Sequence, residues 1–113
     1  MNDCIFCKIV EKKIPAKIEF EDTQAIAIQD IHPQAPVHLL IIPKEHIAKV
    51  DDLKDSSLEI IGHLFKVARK LAFERKITEG YRLVVNNGAK AGQSVFHIHL
   101  HVLGGRTMNW PPG

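Results

Sequence analysis

The sequence has few of the features that mark specialised classes of protein. Its 113 residues include two cysteines and 6% aromatic side chains, and 15 Lys and Arg nearly balance 13 Asp and Glu. Two cysteines are too few for a small disulfide-stabilised fold. A scattered net charge of +2 gives little attraction to nucleic acid or to a membrane surface. We therefore expect no nucleic-acid partner and no membrane association.

Long apolar runs, internal repeats and low-complexity segments are also missing. No stretch approaches the ~18 to 20 apolar residues that cross a bilayer. The N-terminus lacks the charged and apolar regions of a secretory leader, so we expect a cytoplasmic protein. With 45% hydrophobic residues the composition is that of a globular chain. The length is too short for an α/β barrel of ~250 residues, and we expect one domain over residues 1–113.

The pattern of apolar residues predicts five strands and one long helix. Ser56 and Glu59 form a capping-box pattern ahead of an apolar stripe at helical spacing, which predicts a helix over about residues 57–76. A short helical region is expected near the N-terminus, at residues 4–10. Strands are predicted at residues 17–21, 24–29, 37–42, 81–85 and 95–103. This order favours an α+β fold, in which the helix covers one face of an antiparallel sheet.

Histidines alternate with apolar residues near the C-terminus. In a strand, His97, His99 and His101 would stand on one face about 6.6 Å apart, with the intervening apolar residues on the other face. Imidazole is the side chain whose ordinary pKa lets it act as nucleophile, base or acid near neutral pH. Three interpretations stay open: a catalytic row, a metal site, and a polar row that faces solvent.

Cys4 and Cys7 have the spacing C-x-x-C. In a reducing compartment this spacing indicates metal or redox chemistry rather than a structural disulfide. Redox use is the weaker interpretation because no thioredoxin-like βαβ pattern surrounds the pair. Two ordinary small apolar side chains are the remaining alternative.

Several segments together resemble the histidine triad (HIT) superfamily. The run from His97 to Val102, followed by Leu103-Gly104-Gly105, looks like its motif His-φ-His-φ-His-φ-φ, where φ is apolar. The closing Trp110-Pro111-Pro112-Gly113 is similar to the HINT branch, the histidine triad nucleotide-binding proteins. Further matching positions are 14–17, 20–22, 30–36, 38, 42–44 and 92–95.

The resemblance implies a specific architecture. It consists of a five-stranded antiparallel sheet with one long helix and a short N-terminal helix. The family dimer joins two such sheets into one of ten strands, with Trp110 directed towards the partner's site. We therefore expect a homodimer.

The resemblance also implies an activity. HIT proteins bind nucleoside monophosphate derivatives and act at the α-phosphorus through a covalent nucleotidyl-histidine, and HINT members prefer purine phosphoramidates. The implied function is a purine nucleoside phosphoramidase that releases AMP or GMP. The alternatives are a nucleotide-binding interaction module with incidental turnover, a dinucleoside polyphosphate hydrolase and a nucleotidyl transferase. An intact triad beside Ser94 favours an enzyme, because phosphate binding alone requires no nucleophile.

Catalytic roles follow from the resemblance residue by residue. His99 is the implied nucleophile, and His97 and His101 flank it. His101 would bind phosphate oxygens, and His38 is a fourth active-site histidine. A departing amine needs an acid, either a neighbouring imidazolium or a proton on the phosphate.

The resemblance further implies the nucleotide contacts. Asp30 would receive the ribose hydroxyls and Asn86 would lie near the phosphate. Without the family these residues are equally read as turn, cap or core residues. The phosphate loop would be Gly92, Gln93 and Ser94, and the base pocket Ile5, Phe6, Ile9, Ile28 and Ile31.

The C-x-x-C pair distinguishes this chain from animal family members. In a subset of bacterial HIT proteins two such cysteines, a downstream histidine and the first triad histidine hold zinc. The corresponding residues here are Cys4, Cys7, His46 and His97. Two thiolates and two imidazoles form a closed set, which fits a structural zinc, and the chemical step needs no cofactor. His32 and His63 match no functional position, and we expect His63 on a surface or at an interface.

Overall fold

The computed structural model describes residues 3–113. Single turns of 3₁₀ helix lie at Val50–Asp52, Asp55–Ser57 and Ala89–Ala91. Within the described range, no helix has the length and apolar character that a membrane span requires. The helices and strands are, in chain order, α1 (Ile5–Val10), β1 (Ile18–Glu21), β2 (Ala25–Gln29), β3 (Val37–Pro43), α2 (Leu58–Glu74), β4 (Tyr81–Val84) and β5 (Leu100–Gly104).

The five strands form one antiparallel sheet in the order β1-β2-β3-β5-β4. The predicted α+β fold is confirmed. β3 lies at the centre, and six of its seven residues are buried, as expected for an apolar run covered on both faces. β4 is an edge strand, and all four of its residues are partly exposed.

Two apolar clusters cover the two faces of the sheet. On one face α2 packs against alternate residues of β2, β3 and β5, including Leu39, Leu100 and Val102. On the other face α1 contributes Phe6 and Ile9, which pack with the intervening residues of β2 and β3. Because successive side chains of a strand point to opposite faces, Leu100 and Val102 go to the α2 side. His101, which lies between them in β5, is left for the α1 side.

The capping box predicted at the start of the long helix does not form. The residue that precedes α2 is Ser57, and its side chain makes no capping hydrogen bond. The turn at Asp55–Ser57 replaces the cap, because the backbone N–H of Leu58 bonds to the carbonyl of Asp55. The helix therefore begins at Leu58 and ends at Glu74, two residues short of the predicted end.

The last predicted strand is wrong over its first five residues, since β5 begins at Leu100 rather than at residue 95. β5 pairs with β3 in a register that sets Ile41 opposite Leu100. Continuing that register would bring Ile98 opposite Pro43, which ends β3 and has no N–H to donate. The N–H of Ile98 bonds instead to the carbonyl of Ile47 at 2.7 Å. Residues 95–99 are thus irregular, which changes where His97 and His99 lie.

Asp22 joins the β1-β2 turn to α2. One carboxylate oxygen, Oδ1, accepts hydrogen bonds from the backbone N–H groups of Gln24 and Ala25, both at 2.8 Å. The other, Oδ2, lies 2.7 Å from Nε2 of His63 on α2. Burial raises the pKa of Asp22, but these hydrogen bonds and His63 outweigh burial and hold the pKa below its usual range. His63 is a structural residue, part of a contact that the sequence does not indicate.

We expect Asp22→Asn to lower the free energy of unfolding by about 1 kcal/mol at pH 7 and Asp22→Ala by about 2 kcal/mol. Asparagine keeps an oxygen that can accept from the turn but removes the charge facing His63. The pKa of Asp22 is lower in the folded state than in the unfolded state. The stability lost in Asp22→Asn is therefore complete above the unfolded pKa and disappears as pH falls through the folded pKa. Urea unfolding at several pH values measures both variants. Unchanged stability in Asp22→Ala would contradict the role.

Candidate functional site

Three histidine rings form a group on the α1 side of the sheet. His38 lies in β3 on the same strand face as Leu40, which pairs with His101 of β5. The ring centroids of His38 and His101 are 5.2 Å apart, and those of His99 and His101 are 5.0 Å apart. His38 and His99 are 6% and 7% exposed. The sheet therefore brings three of the four predicted catalytic histidines together.

His97 leaves this row. Its fully buried ring lies 4.9 Å from the ring of His46, perpendicular to it. The expectation of three imidazoles in one row at strand spacing is therefore wrong. Residues 95–99 do not belong to β5, so strand alternation does not govern the direction of His97.

The hydrogen bonds of His99 assign its ring protons. Nδ1 lies 2.8 Å from the carbonyl oxygen of His97. A carbonyl only accepts, so Nδ1 carries the hydrogen and Nε2 carries a lone pair. Nε2 has no hydrogen-bond partner, and no buried polar side-chain atom of residues 3–113 lacks one, so Nε2 is accessible. Burial lowers the pKa of His99, against the opposing effects of the His97 carbonyl and Asp30, and keeps the ring neutral at pH 7.

A chain of hydrogen bonds assigns the protons of His38 and His101. The backbone N–H of Gln34 donates to Nδ1 of His38 at 3.0 Å, so Nε2 of His38 carries the hydrogen. That Nε2 lies 2.9 Å from Nδ1 of His101 and 3.4 Å from a carboxylate oxygen of Asp30. Nδ1 of His101 is therefore an acceptor, and the hydrogen of His101 is on Nε2. Among the described residues this N–H has no partner, and it is accessible by the same argument.

Burial keeps His101 uncharged. Desolvation, followed by the charges that His99 and His38 would carry, lowers the pKa of His101 to about 4, although Asp30 acts in the opposite direction. His38 also has a lowered pKa because it is buried. The site thus presents an imidazole lone pair on His99 beside a neutral N–H donor on His101. Such a pair can attack an electrophilic centre and hydrogen-bond its oxygen.

Asp30, His38 and His101 place three potential ligand atoms within 4.8 Å of one another. A metal ion there would need the lone pair of Nε2 of His38. The hydrogen would then move to Nδ1, which faces the backbone N–H of Gln34. Two donors would oppose each other, so this trio fits a hydrogen-bonded network rather than a metal site.

Cys4, Cys7, His46 and His97 form a second group whose ligand atoms all lie within 4.8 Å of one another. Nδ1 of His97 is 3.3 Å from Sγ of Cys4, 3.5 Å from Sγ of Cys7 and 3.1 Å from Nδ1 of His46. Sγ of Cys7 is 3.3 Å from Nδ1 of His46. Tetrahedral zinc with standard bond lengths separates its ligands by ~3.3 to 3.8 Å. The four predicted ligands are therefore close enough to hold one metal ion.

The protonation of His97 suits this group. Its Nε2 lies 2.7 Å from the carbonyl oxygen of Pro43, so Nε2 carries the hydrogen and Nδ1 offers a lone pair to a metal. Burial, followed by the charges on neighbouring histidines, lowers the pKa of His97 to about 4, against the effect of the Pro43 carbonyl. The neutral form, which binds metals, is the one present at pH 7.

The predicted phosphate loop, Gly92, Gln93 and Ser94, contains one buried residue and two exposed residues. Gln93 is 4% exposed, and its amide accepts from the N–H of Gly88 and donates to the carbonyls of Ala48 and Val95. Its polar atoms hold the loop together. Gly92 has a φ of 94°, and its N–H bonds to the carbonyl of Ala89. Ser94 is exposed and lines a cavity of about 400 Å³ that Cys4 and His46 also line.

The predicted base-pocket residues separate into buried and exposed sets. Phe6, Ile9 and Ile28 lie in the apolar cluster between α1 and the sheet. Ile5 and Ile31 are 44% and 86% exposed.

The other predicted nucleotide contacts differ in their surroundings. One oxygen of Asp30 accepts from the N–H of His32 at 2.8 Å, and the other faces His38. Asn86 is partly buried, and its side chain makes no hydrogen bond to residues 3–113, whereas Asn87 joins its loop to Val50 and Asp51. Trp110 is 83% exposed, and within residues 3–113 it makes no hydrogen bond or ring contact with the other predicted residues.

The groups that sequence reasoning missed are mainly backbone atoms. The Gln34 N–H and the Pro43 carbonyl decide the protonation of His38 and His97. Every residue has such groups, so no residue type signals them.

A family model, a related sequence and solved structures each match most of this chain. A family model described as "Scavenger mRNA decapping enzyme C-term binding" matches residues 3–110. A HIT-like protein of Synechocystis sp. is 47% identical over 112 residues, which is 99% of this chain and 98% of that protein. A HIT family hydrolase from Legionella pneumophila superposes with a TM-score of 0.96 at 53% identity, covering 98% of this chain and 100% of that one. A histidine triad nucleotide-binding protein from Candida albicans gives a TM-score of 0.83 at 34% identity, covering 96% of this chain and 83% of that one.

Proposed function

The chain belongs to the histidine triad family, and from this membership and the geometry of its histidines we propose that it hydrolyses purine nucleoside phosphoramidates to AMP or GMP. The observation that carries the proposal is the pairing of an accessible lone pair on His99 with an accessible N–H on His101. Structural relatives are described as hydrolases and as a nucleotide-binding protein, which supports the reaction class.

The first step is nucleophilic displacement. Nε2 of His99 attacks the α-phosphorus, a bond forms between nitrogen and phosphorus, and the bond from phosphorus to the amine breaks. Positive charge develops on the His99 ring, and the Nδ1–H bond to the His97 carbonyl stabilises that charge. Nε2–H of His101 hydrogen-bonds a phosphoryl oxygen. The departing amine takes a proton that the phosphoramidate itself carries, because neutral His101 is a poor acid.

The second step is hydrolysis of the nucleotidyl-histidine. Water attacks the phosphorus, the bond to Nε2 breaks, and His99 regains its neutral form with the hydrogen still on Nδ1. The water oxygen becomes part of the product phosphate, and the second water proton passes to solvent or to the phosphate. The protein thereby returns to its starting state with one AMP or GMP and one amine formed.

Within this proposal, the exposed Ser94, Ile5 and Ile31 and the partly buried Asp30 contact the nucleotide. Ser94 binds the phosphate group, Asp30 the ribose, and Ile5 and Ile31 lie against the base. The single domain over residues 1–113 and the homodimer remain part of the proposal. The dimer is supported by the edge position of β4 and by the exposure of Trp110.

We also propose that the metal is a structural zinc held by Cys4, Cys7, His46 and His97. When bound, zinc would crosslink α1 to the segment before β5 and would open no coordination position to substrate. The spacing of the four ligand atoms supports this assignment.

We expect purified protein to release AMP stoichiometrically from adenosine 5′-phosphoramidate. His99→Ala should reduce the rate by about 10⁴-fold or more, because the nucleophile is lost. It should still bind AMP, because the other nucleotide contacts remain. Chromatographic product analysis and calorimetric AMP binding measure the two effects, with His32→Ala as the matched control for an exposed histidine outside the site. Binding without turnover in the wild type would favour the interaction module, and activity in His99→Ala would remove His99 from its role.

We expect the acid limb of kcat/KM to lie below pH 6.5, the ordinary imidazole value, because burial lowers the pKa of His99. The lone pair is then available at pH values where an exposed imidazole is protonated. The carboxylate of Asp30 raises this pKa, so Asp30→Asn should move the limb to still lower pH. Normalised profiles of kcat/KM against pH test both statements. An acid limb above pH 6.5 would contradict the effect of burial on His99. An acid limb at the same pH in Asp30→Asn would contradict the effect of Asp30.

We expect about one zinc per chain by elemental analysis, and its loss in Cys4→Ala. Co²⁺ in the same site should give the intense visible bands and the thiolate charge-transfer absorption of a tetrahedral centre. His32→Ala should retain the metal because His32 is exposed and lies outside the group. A folded protein that remains metal-free after purification with zinc would exclude this site.

A further inference from the structure

α1 connects the metal-binding group to the nucleophile. Cys4 precedes the helix and caps it, accepting from the N–H of Cys7 at 3.4 Å, and both sulfurs face His97. Between them in sequence, Phe6 turns inward and is 6% exposed. Its ring centroid lies 5.0 Å from that of His99 at an interplanar angle of 85°. The same short helix thus contacts both centres.

The ring of His99 needs such a contact. The terminal torsion of histidine has a broad energy profile, so rotamer preference alone does not set the plane of the ring. The hydrogen bond from Nδ1 to the His97 carbonyl restrains one edge of the imidazole. The perpendicular ring of Phe6 restrains rotation about that bond, in the edge-to-face arrangement that aromatic pairs favour. Together they direct Nε2 of His99.

The position of Phe6 in turn depends on what holds α1. A helix of six residues is not stable by itself in water. Its apolar anchors include the buried Phe6 and Ile9 and the partly buried Val10, which pack with β2 and β3. It is also anchored by the sulfurs of Cys4 and Cys7, which reach His97 and His46 from either side of Phe6.

We propose that Phe6 is a positioning residue for His99 and that metal bound by Cys4, Cys7, His46 and His97 holds Phe6 in place. The inference rests on the nucleophile and the metal of the proposed function. It assigns Phe6 to the orientation of the nucleophile, whereas the family resemblance implies a base contact. The substrate enters on the accessible side of His99, and Phe6 contacts the buried ring.

The test uses Phe6→Leu, which keeps an apolar side chain of similar size but removes the ring. We expect kcat for adenosine 5′-phosphoramidate to fall about 10- to 100-fold with KM changed less than about twofold, because misorientation affects the attack. Val10→Ala is the matched control, since Val10 lies on α1 and packs against the same cluster without a ring contact to His99. Phe6→Ala provides a second variant that should show a larger fall in kcat.

A spectroscopic measurement separates the inference from the proposed activity. In ¹⁵N-histidine-labelled protein, the hydrogen-bonded Nδ1–H of His99 should give a sharp resonance, identified by its absence in His99→Ala. Phe6→Leu should broaden or shift this resonance, and Val10→Ala should leave it unchanged. Removal of metal from the wild type with a chelator should cause the same change as Phe6→Leu. In Phe6→Leu the chelator should cause little further change in the His99 resonance, because the substitution has already removed the contact through which the metal acts.

The outcomes are distinct. If Phe6→Leu matches Val10→Ala in kcat and in the His99 resonance, Phe6 has no positioning role. If the chelator leaves the wild-type resonance unchanged, or changes it by as much in Phe6→Leu as in the wild type, the metal does not act through Phe6. If the wild type lacks turnover but the resonance responds as expected, the proposed activity fails while the positioning of the His99 ring stands.

Discussion

Three contacts of His97 join parts of the site that come from distant regions of the chain. Nε2–H donates to the Pro43 carbonyl and ties the residue to the end of β3. Nδ1 faces the sulfurs of Cys4 and Cys7, and the backbone carbonyl accepts from Nδ1 of His99. Burial keeps the ring neutral, and these partners set the direction of each nitrogen. Displacement of His97 would disturb the metal-binding group and the nucleophile at the same time.

The protonation of His38 and His101 follows the same physical rule. A neutral imidazole has one donor and one acceptor, so a buried cluster of such rings requires an ordered assignment of hydrogens. The backbone N–H of Gln34 supplies that order for His38, and His38 passes it to His101. Burial lowers the pKa values of these rings, which keeps them neutral and maintains the pattern at pH 7. The result is a lone pair and an N–H donor side by side.

Much of the fold could be predicted because it depends on local pattern. The apolar run of β3 indicated a strand buried on both faces, and the stripe of α2 indicated one long helix against the sheet. The ends of elements were less predictable. β5 begins at Leu100 because its partner strand ends at Pro43, a constraint that comes from pairing between residues far apart in sequence. The start of α2 likewise depends on a 3₁₀ turn rather than on the capping residues present.

For the site, the sequence alone determined the chemical inventory: alternating histidines, a C-x-x-C pair and a loop rich in glycine and polar residues. These motifs are local, and residue types in a fixed spacing limit the chemistry they can perform. Only the tertiary structure decided how the inventory is divided. It separated the ring of His97 from the row of the other histidines, used the amide of Gln93 within its own loop and placed the ring of Phe6 against His99. The physical reason is that hydrogen-bond partners and ring contacts between distant segments, many of them backbone atoms, exist only once the chain has packed.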